Sequence, residues 1–189
     1  MDRKKEMYDR IVNTSYDLFQ KKGYNETTVN DICDACGISK PTFYHYVGSK
    51  DEIVAIFYSD LTSRLVEELL AQSATDDYWQ RIVLAFDTIL GHSQEFGVNL
   101  YSQLFIVNLN RDLGTFQMRD SLTDLMTKLF EKAQACGQIQ NPSDPRQLYL
   151  CCANMCFGYG VCWCLNRGRN DLLEDFHKAL ETVCVVRKD

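Results

Sequence analysis

The sequence predicts an all-α chain: a head of three helices, two of them short and joined by a tight turn, followed by a larger helical body, about nine helices in all. Three observations predict it. Apolar residues recur three and four apart through nearly every segment, the spacing of one face of a helix. Residues that start and stop helices fall at the ends of those patterns, among them Thr28, Gly37, Ser39 and Gly137. The apolar fraction, 46% of 189 residues, is ample for a packed core, yet no run approaches the 18 or more apolar residues of a membrane span.

The first helix is expected from Glu6 to Lys22, with Tyr8, Ile11, Val12, Ser15, Tyr16 and Phe19 at helical spacing and Gly23 as its stop. Thr28 is placed to cap the second helix, and Asp31 lies three residues on, where it can reach back to the cap. Ile32 and Ala35 should share the buried face, flanked by Val29 and Cys36. Gly37 supplies the left-handed residue that ends this helix. Ser39 caps a very short third helix, and Pro41 sits just inside it, where a missing N–H costs nothing. Phe43 and Tyr46, three apart, face inward, which leaves Lys40, Thr42, Tyr44 and His45 outward with Pro41 at the leading edge.

Ser49 and Glu52 have capping-box spacing and open a long fourth helix, Lys50 to about Ala74, striped by Ile53, Ile56, Phe57, Leu61, Leu65 and Leu69. At ~1.5 Å per residue it exceeds ~30 Å and can link the head to a separate body. The fifth and sixth helices are expected over Tyr78–Glu95 and Phe96–Asn110, the seventh over Phe116–Cys136, closed by Gly137. Asn141 to Pro145 is the clearest loop. The eighth helix follows over Pro145–Asn166, with Gly158 and Gly160 allowing close approach, and the ninth over Asp171–Val186.

The outward groups of the third helix (a cation, a hydroxyl, a phenol and an imidazole) suit a DNA groove. In helix-turn-helix motifs the N-terminal residues of the second helix reach base edges in the major groove. Lys50, at the start of the fourth helix, stands where exposed N–H groups also favour a phosphate.

The residues that carry this pattern run from about Arg10 to Ile56. They comprise a first helix ending Phe-x-x-x-Gly-Tyr, then Thr-Val-x-Asp-Ile, then Gly-Ile-Ser-Lys-x-Thr-Phe-Tyr-x-Tyr, then Ser-Lys-x-Glu. This string resembles the DNA-binding domain of TetR-family transcriptional regulators, over roughly a quarter of the chain. The resemblance implies a cytoplasmic DNA-binding regulator, a repressor released from a palindromic operator by a small, largely apolar effector. Its DNA-binding residues would be Thr28, Ser39, Lys40, Pro41, Thr42, Tyr44, His45 and Lys50, within a domain of residues 1–50. Residues 51–189 would bind the effector and dimerise. The aromatic and Met content of the body offers Trp79, Phe86, Tyr101 and Phe105, with Met126, Phe130, Tyr159 and Trp163, as pocket residues. The resemblance further implies that the last two helices pair with their copies as a four-helix bundle. The expected interface is Leu148, Cys152, Met155 and Tyr159 on the eighth helix and Leu173, Phe176, Leu180 and Val183 on the ninth.

Charge divides accordingly. Residues 1–50 hold eight Lys or Arg against seven Asp or Glu, whereas 51–189 hold twelve against nineteen, within a net charge of −6. Only the N-terminal part should approach a phosphate backbone. Arg3, Lys4 and Lys5 fit a solvated tail or a DNA contact equally well. The charged N-terminus is not a secretory signal.

Nine cysteines argue for a reducing compartment. Cys33 and Cys36 are C-x-x-C, but on a helix before a turn they serve better as small buried residues. The richer cluster is Cys151, Cys152, Cys156, Cys162 and Cys164, with Cys136 and Cys184 elsewhere. It reads first as core packing and second as a thiol or soft-metal sensor. No cofactor, metal, membrane or catalytic constellation is expected. A helical co-regulator that binds a protein instead of DNA is the remaining alternative.

Overall fold

The computed structural model describes residues 3–56, 77–116 and 120–186. Among these the chain is all-α: α1 (Arg3–Lys22), α2 (Val29–Cys36), α3 (Lys40–Tyr46), a helical start at 50–56 that we call α4, α5 (Tyr78–Asn110), α6 (Asp120–Ala135), α7 (Pro145–Leu165) and α8 (Leu172–Cys184). The chain forms two compact units. The first comprises 1–60 with 96–115, and the second 61–95 with 116–189. This division differs from a cut at residue 50, because 96–115 goes with the N-terminal helices.

In the first unit, Ile11, Val12 and Phe19 of α1 are buried, as are Ile32, Cys33 and Cys36 of α2, Phe43 of α3 and Ile53 of α4. Tyr101, Leu104 and Val107 from the second half of α5 are buried as well. The Thr27 hydroxyl donates to Gly23 O at 2.7 Å and closes the α1–α2 turn. Burial corrects one expected face: Ala35 is exposed and Cys33 is buried in its place. On an eight-residue helix, packed against both α1 and α3, the inward face is broader than a single stripe.

In the second unit, α7 packs between α6 and α8. Phe86 and Phe176 meet at 5.1 Å between ring centroids, and His177 Nε2 lies 2.5 Å from Asp87 Oδ1. Gly137 (φ 78°) ends α6. The strand-like loop after it is held by an isolated antiparallel bridge, Ile139 to Val186, and by Asn141 Nδ2 donating to Val183 O at 2.7 Å.

Three other boundaries differ from expectation. α1 starts at Arg3, so the basic N-terminal residues extend a helix. α8 ends at Cys184, because Val185 turns left-handed (φ 51°) and hands the chain to the bridge. The fifth and sixth expected helices follow one another without a loop in α5 and part at a kink at Gly97 (φ 71°, ψ 160°), one residue past the expected start of the sixth. Most of the expected fourth helix, including Phe57, Leu61, Leu65 and Leu69, lies outside the described residues.

Candidate nucleic-acid interface

Local hydrogen bonds build the turn between α2 and α3. The Thr28 hydroxyl accepts from Asp31 N at 3.1 Å, and Asp31 Oδ2 accepts from Thr28 N at 2.7 Å, a complete capping box. Lys22 Nζ joins the same carboxylate at 3.0 Å. These bonds, from the Thr28 side chain first, then its backbone and Lys22, hold the Asp31 carboxyl down to about 2. Gly37 adopts φ 61°, ψ 40°, and its N–H returns to Asp34 O at 3.2 Å. Ser39 Oγ then accepts from Thr42 N at 3.3 Å and starts α3.

Phe43 is fully buried and fixes the roll of α3. Its ring packs edge-on against Tyr44 at 5.3 Å. With Phe43 inward, Ser39, Lys40, Pro41, Tyr44 and His45 are exposed, Tyr44 by 53%, and Thr42 is half-exposed. Six of the eight expected contact residues thus form one outward face. Tyr46 is half-buried rather than fully inward.

Thr28 and Lys50 are differently engaged. The Thr28 hydroxyl also bonds Asp31 Oδ2 at 2.7 Å, so its first commitment is to the cap. Lys50 turns inward: Nζ donates to Tyr24 O at 2.8 Å and Thr27 O at 3.0 Å, and sits 3.9 Å from the centroid of the Tyr24 ring. Desolvation lowers its pKa, against the opposing pull of Asp51. The Tyr24 hydroxyl in turn donates to Asp51, and burial first, then this carboxylate, pushes the phenol upward. An ammonium that already satisfies two carbonyls and a ring is a staple between the α1–α2 turn and α4. Ser49 Oγ caps Glu52 N at 3.1 Å, but Glu52 returns its carboxylate to Gly48 N at 3.0 Å, one residue earlier than a capping box requires.

The expected pocket residues divide between the units. Tyr101 and Phe105 belong to the first and stack edge-on at 5.0 Å. In the second unit Phe86, Met126, Phe130 and Trp163 are buried, and Trp79 and Tyr159 half-buried. Tyr159 packs on Phe176 at 5.9 Å. None of the eight lines the surface hollow formed by Leu165, Asn166, Arg167, Arg169 and Asn170.

The expected interface set needs a sharper correction. Leu148, Cys152, Phe176 and Leu180 are buried within the single chain, and Cys152 Sγ lies 3.9 Å from Cys184 Sγ between α7 and α8. These residues form the core of the second unit. Met155, Tyr159, Leu173 and Val183 are half-buried. The face of α7 left outside carries Cys151, Asn154, Gly158, Val161, Cys162 and Leu165, the last 76% exposed. From Gln147 to Leu165 the helix has no charged residue, so no polar stripe in the sequence marked its outer side. Among the described residues α7 is also the one helix long and apolar enough to cross a membrane, although Leu148, Cys152, Cys156 and Trp163 are committed to the core.

Cys33 and Cys36 are buried, as small packing residues should be. Burial raises the thiol pKa of Cys156 and Cys164, the latter to about 11, and Cys152 is raised first by its contact with Cys184. Among the described residues no group of three or more His, Cys, Asp or Glu is arranged to hold a metal ion.

A short helix rolled by a buried Phe, presenting a cation, a phenol and an imidazole beyond a tight left-handed turn, has the arrangement of a helix-turn-helix motif. The family model for bacterial regulatory proteins of the tetR family matches residues 11–55. The Bacillus subtilis HTH-type transcriptional regulator YdgC is 26% identical over 151 residues, 77% of this chain and 75% of its own length. YuxN of the same organism is 30% identical over 101 residues, which span 51% of this chain but 35% of that regulator. In fold, Thermus thermophilus FadR, a TetR-family transcriptional repressor solved with lauroyl-CoA, aligns with a TM-score of 0.72. That alignment covers 96% of this chain and 97% of FadR at 24% identity. Residues 11–55 thus match the DNA-binding segment of the tetR family, and the chain as a whole shares the fold of a TetR-family repressor.

Proposed function

We propose that the protein is a homodimeric cytoplasmic repressor that inserts α3 into the major groove of a palindromic operator. The observation that carries this reading is the outward face of α3 opposite fully buried Phe43. Lys40, Thr42 and His45 reach base edges or adjacent phosphates, with Ser39 and Pro41 at the leading edge. Tyr44 and Thr28 meet the sugar–phosphate backbone. A two-fold reader is required because half-sites lie about one helical turn (~34–36 Å) apart. The uncharged outer face of α7 is the surface through which copies meet, with Met155, Tyr159, Leu173 and Val183 at its margins.

A small, largely apolar effector, held by the aromatic body, shifts the spacing of the two heads and releases DNA. The lauroyl-CoA complex of FadR supports a long acyl chain as the first probe. The test is a gel shift on fragments selected from genomic DNA, repeated with added lauroyl-CoA and across a salt series. Binding should weaken steeply with salt, about 0.9 in log–log slope per phosphate contacted. A slope near zero would exclude the DNA-binding reading.

A further inference from the structure

Glu52 stands where three segments of the first unit meet. Its Oε2 accepts from Gly48 N at 3.0 Å, and Gly48 is two residues past the end of α3. Its Oε1 pairs with Arg111 Nη1 at 3.0 Å, and Arg111 is the first residue past α5. Its own N–H is capped by Ser49 Oγ at 3.1 Å. A second observation shows how closely the carboxylate is seated. A Cβ added at Gly48 would lie 2.4 Å from Glu52 Oε2 and 2.8 Å from Oε1, so any larger residue must displace the carboxylate. The other end of the 96–111 segment is tied down too: Phe96 O accepts from Gln20 Nε2 at 3.4 Å, and the Phe96 ring packs on Tyr16 at 5.7 Å.

We propose that Arg111 and Glu52 are positioning residues for DNA recognition. Through the Glu52 carboxylate, the segment 96–111 holds the chain just past the reading helix, and operator affinity depends on that segment's placement. Neither side chain touches DNA. Arg111 orients Glu52, Glu52 fixes Gly48, and Gly48 with buried Val47 sets how α3 leaves its turn. This inference rests on the DNA-binding reading above.

The test measures operator affinity by fluorescence anisotropy over a salt series for wild type, Arg111→Met, Arg111→Lys, Gly48→Ala and the Arg111→Met/Gly48→Ala double variant. Arg111→Met should weaken binding about two- to five-fold per head, the range for an exposed ion pair. Its salt slope should be unchanged, and Arg111→Lys should restore most of the affinity. Gly48→Ala should weaken binding similarly, and the double variant should be no weaker than the poorer single, since both changes break one linkage. Wild-type affinity in Arg111→Met overturns the proposal. So does a slope lowered by about 0.9, which would make Arg111 a phosphate contact. Additive losses in the double variant overturn it as well. Absence of binding by the wild-type protein would instead remove the DNA-binding reading itself.

Discussion

Lys50 lies across the ring of Tyr24, its Nζ 3.9 Å from the centroid, and donates to the carbonyl of the same residue at 2.8 Å. With Thr27 O as a second acceptor at 3.0 Å, the ammonium joins the end of the α1–α2 turn to the start of α4. Lys50→Met should therefore lower unfolding stability by about 1–3 kcal/mol, the scale of charge-assisted hydrogen bonds at a half-buried site. Denaturant titration measures this. The salt slope of operator binding should not change, whereas loss of a phosphate contact would lower it by about 0.9.

Lys40 and Tyr44 should behave in the opposite way. Both are exposed and neither anchors the core. Lys40→Ala and Tyr44→Phe should leave the melting temperature within a degree or two, since surface substitutions usually fall within about 0.5 kcal/mol. Operator affinity should fall about tenfold for Lys40→Ala, the scale of one good contact. An unchanged dissociation constant for both variants would remove α3 as the reading helix.

Acid should loosen the head through Asp31. Its carboxyl is held at about 2, chiefly by Thr28 and then Lys22, below the unfolded value near 4. A depressed folded pKa contributes stability above the unfolded pKa, and that contribution is lost as pH falls through about 4 toward 2. Wild type should thus exceed Asp31→Asn in melting temperature at pH 7, and the gap should close near pH 2. A gap that is constant with pH would contradict the capping-box account.

Gly97 occupies φ 71°, ψ 160°, a region that side-chain-bearing residues rarely enter. A Cβ there would meet nothing within 4 Å, so the cost of Gly97→Ala is backbone strain alone. Stability should fall by about 1–3 kcal/mol in denaturant titration. An unaltered midpoint would show that α5 can run straight through this position.

Thiol labelling can test the proposal that copies meet through the outer face of α7. Cys136, Cys151 and Cys162 are exposed in the single chain, while Cys33, Cys36, Cys152, Cys156 and Cys184 are buried. The buried five should react with an aromatic disulfide reagent only after unfolding. As protein concentration rises through the dimer dissociation constant, Cys151 and Cys162 should become protected and Cys136 should stay reactive. Equal labelling of all three at every concentration would place the dimer contact elsewhere.

Much of the head was legible because its determinants are local. Thr28 with Asp31, Ser39 with Thr42, and Gly37 with the end of α2 each act across three residues or fewer, and each forms as its spacing implies. Phe43 was legible as the inward residue of α3 because its neighbours are polar. α7 was not legible in the same way. A helix without charge offers no contrast between faces, so the expected interface fell on residues that α6 and α8 had already covered. Lys50 misled for a related reason: its acceptors lie 23 and 26 residues earlier in the chain, beyond any local pattern.

The sequence by itself determined where helices begin and end around the turn and which side of α3 faces out, because capping and amphipathic spacing act within one or two turns of backbone. Tertiary structure alone decided that Lys50 binds carbonyls inside the head, that Arg111 reaches Glu52, and which face of α7 stays open. Those outcomes depend on which distant groups packing brings within about 3 Å, and hydrogen bonds and burial at that range follow from placement in space rather than order along the chain.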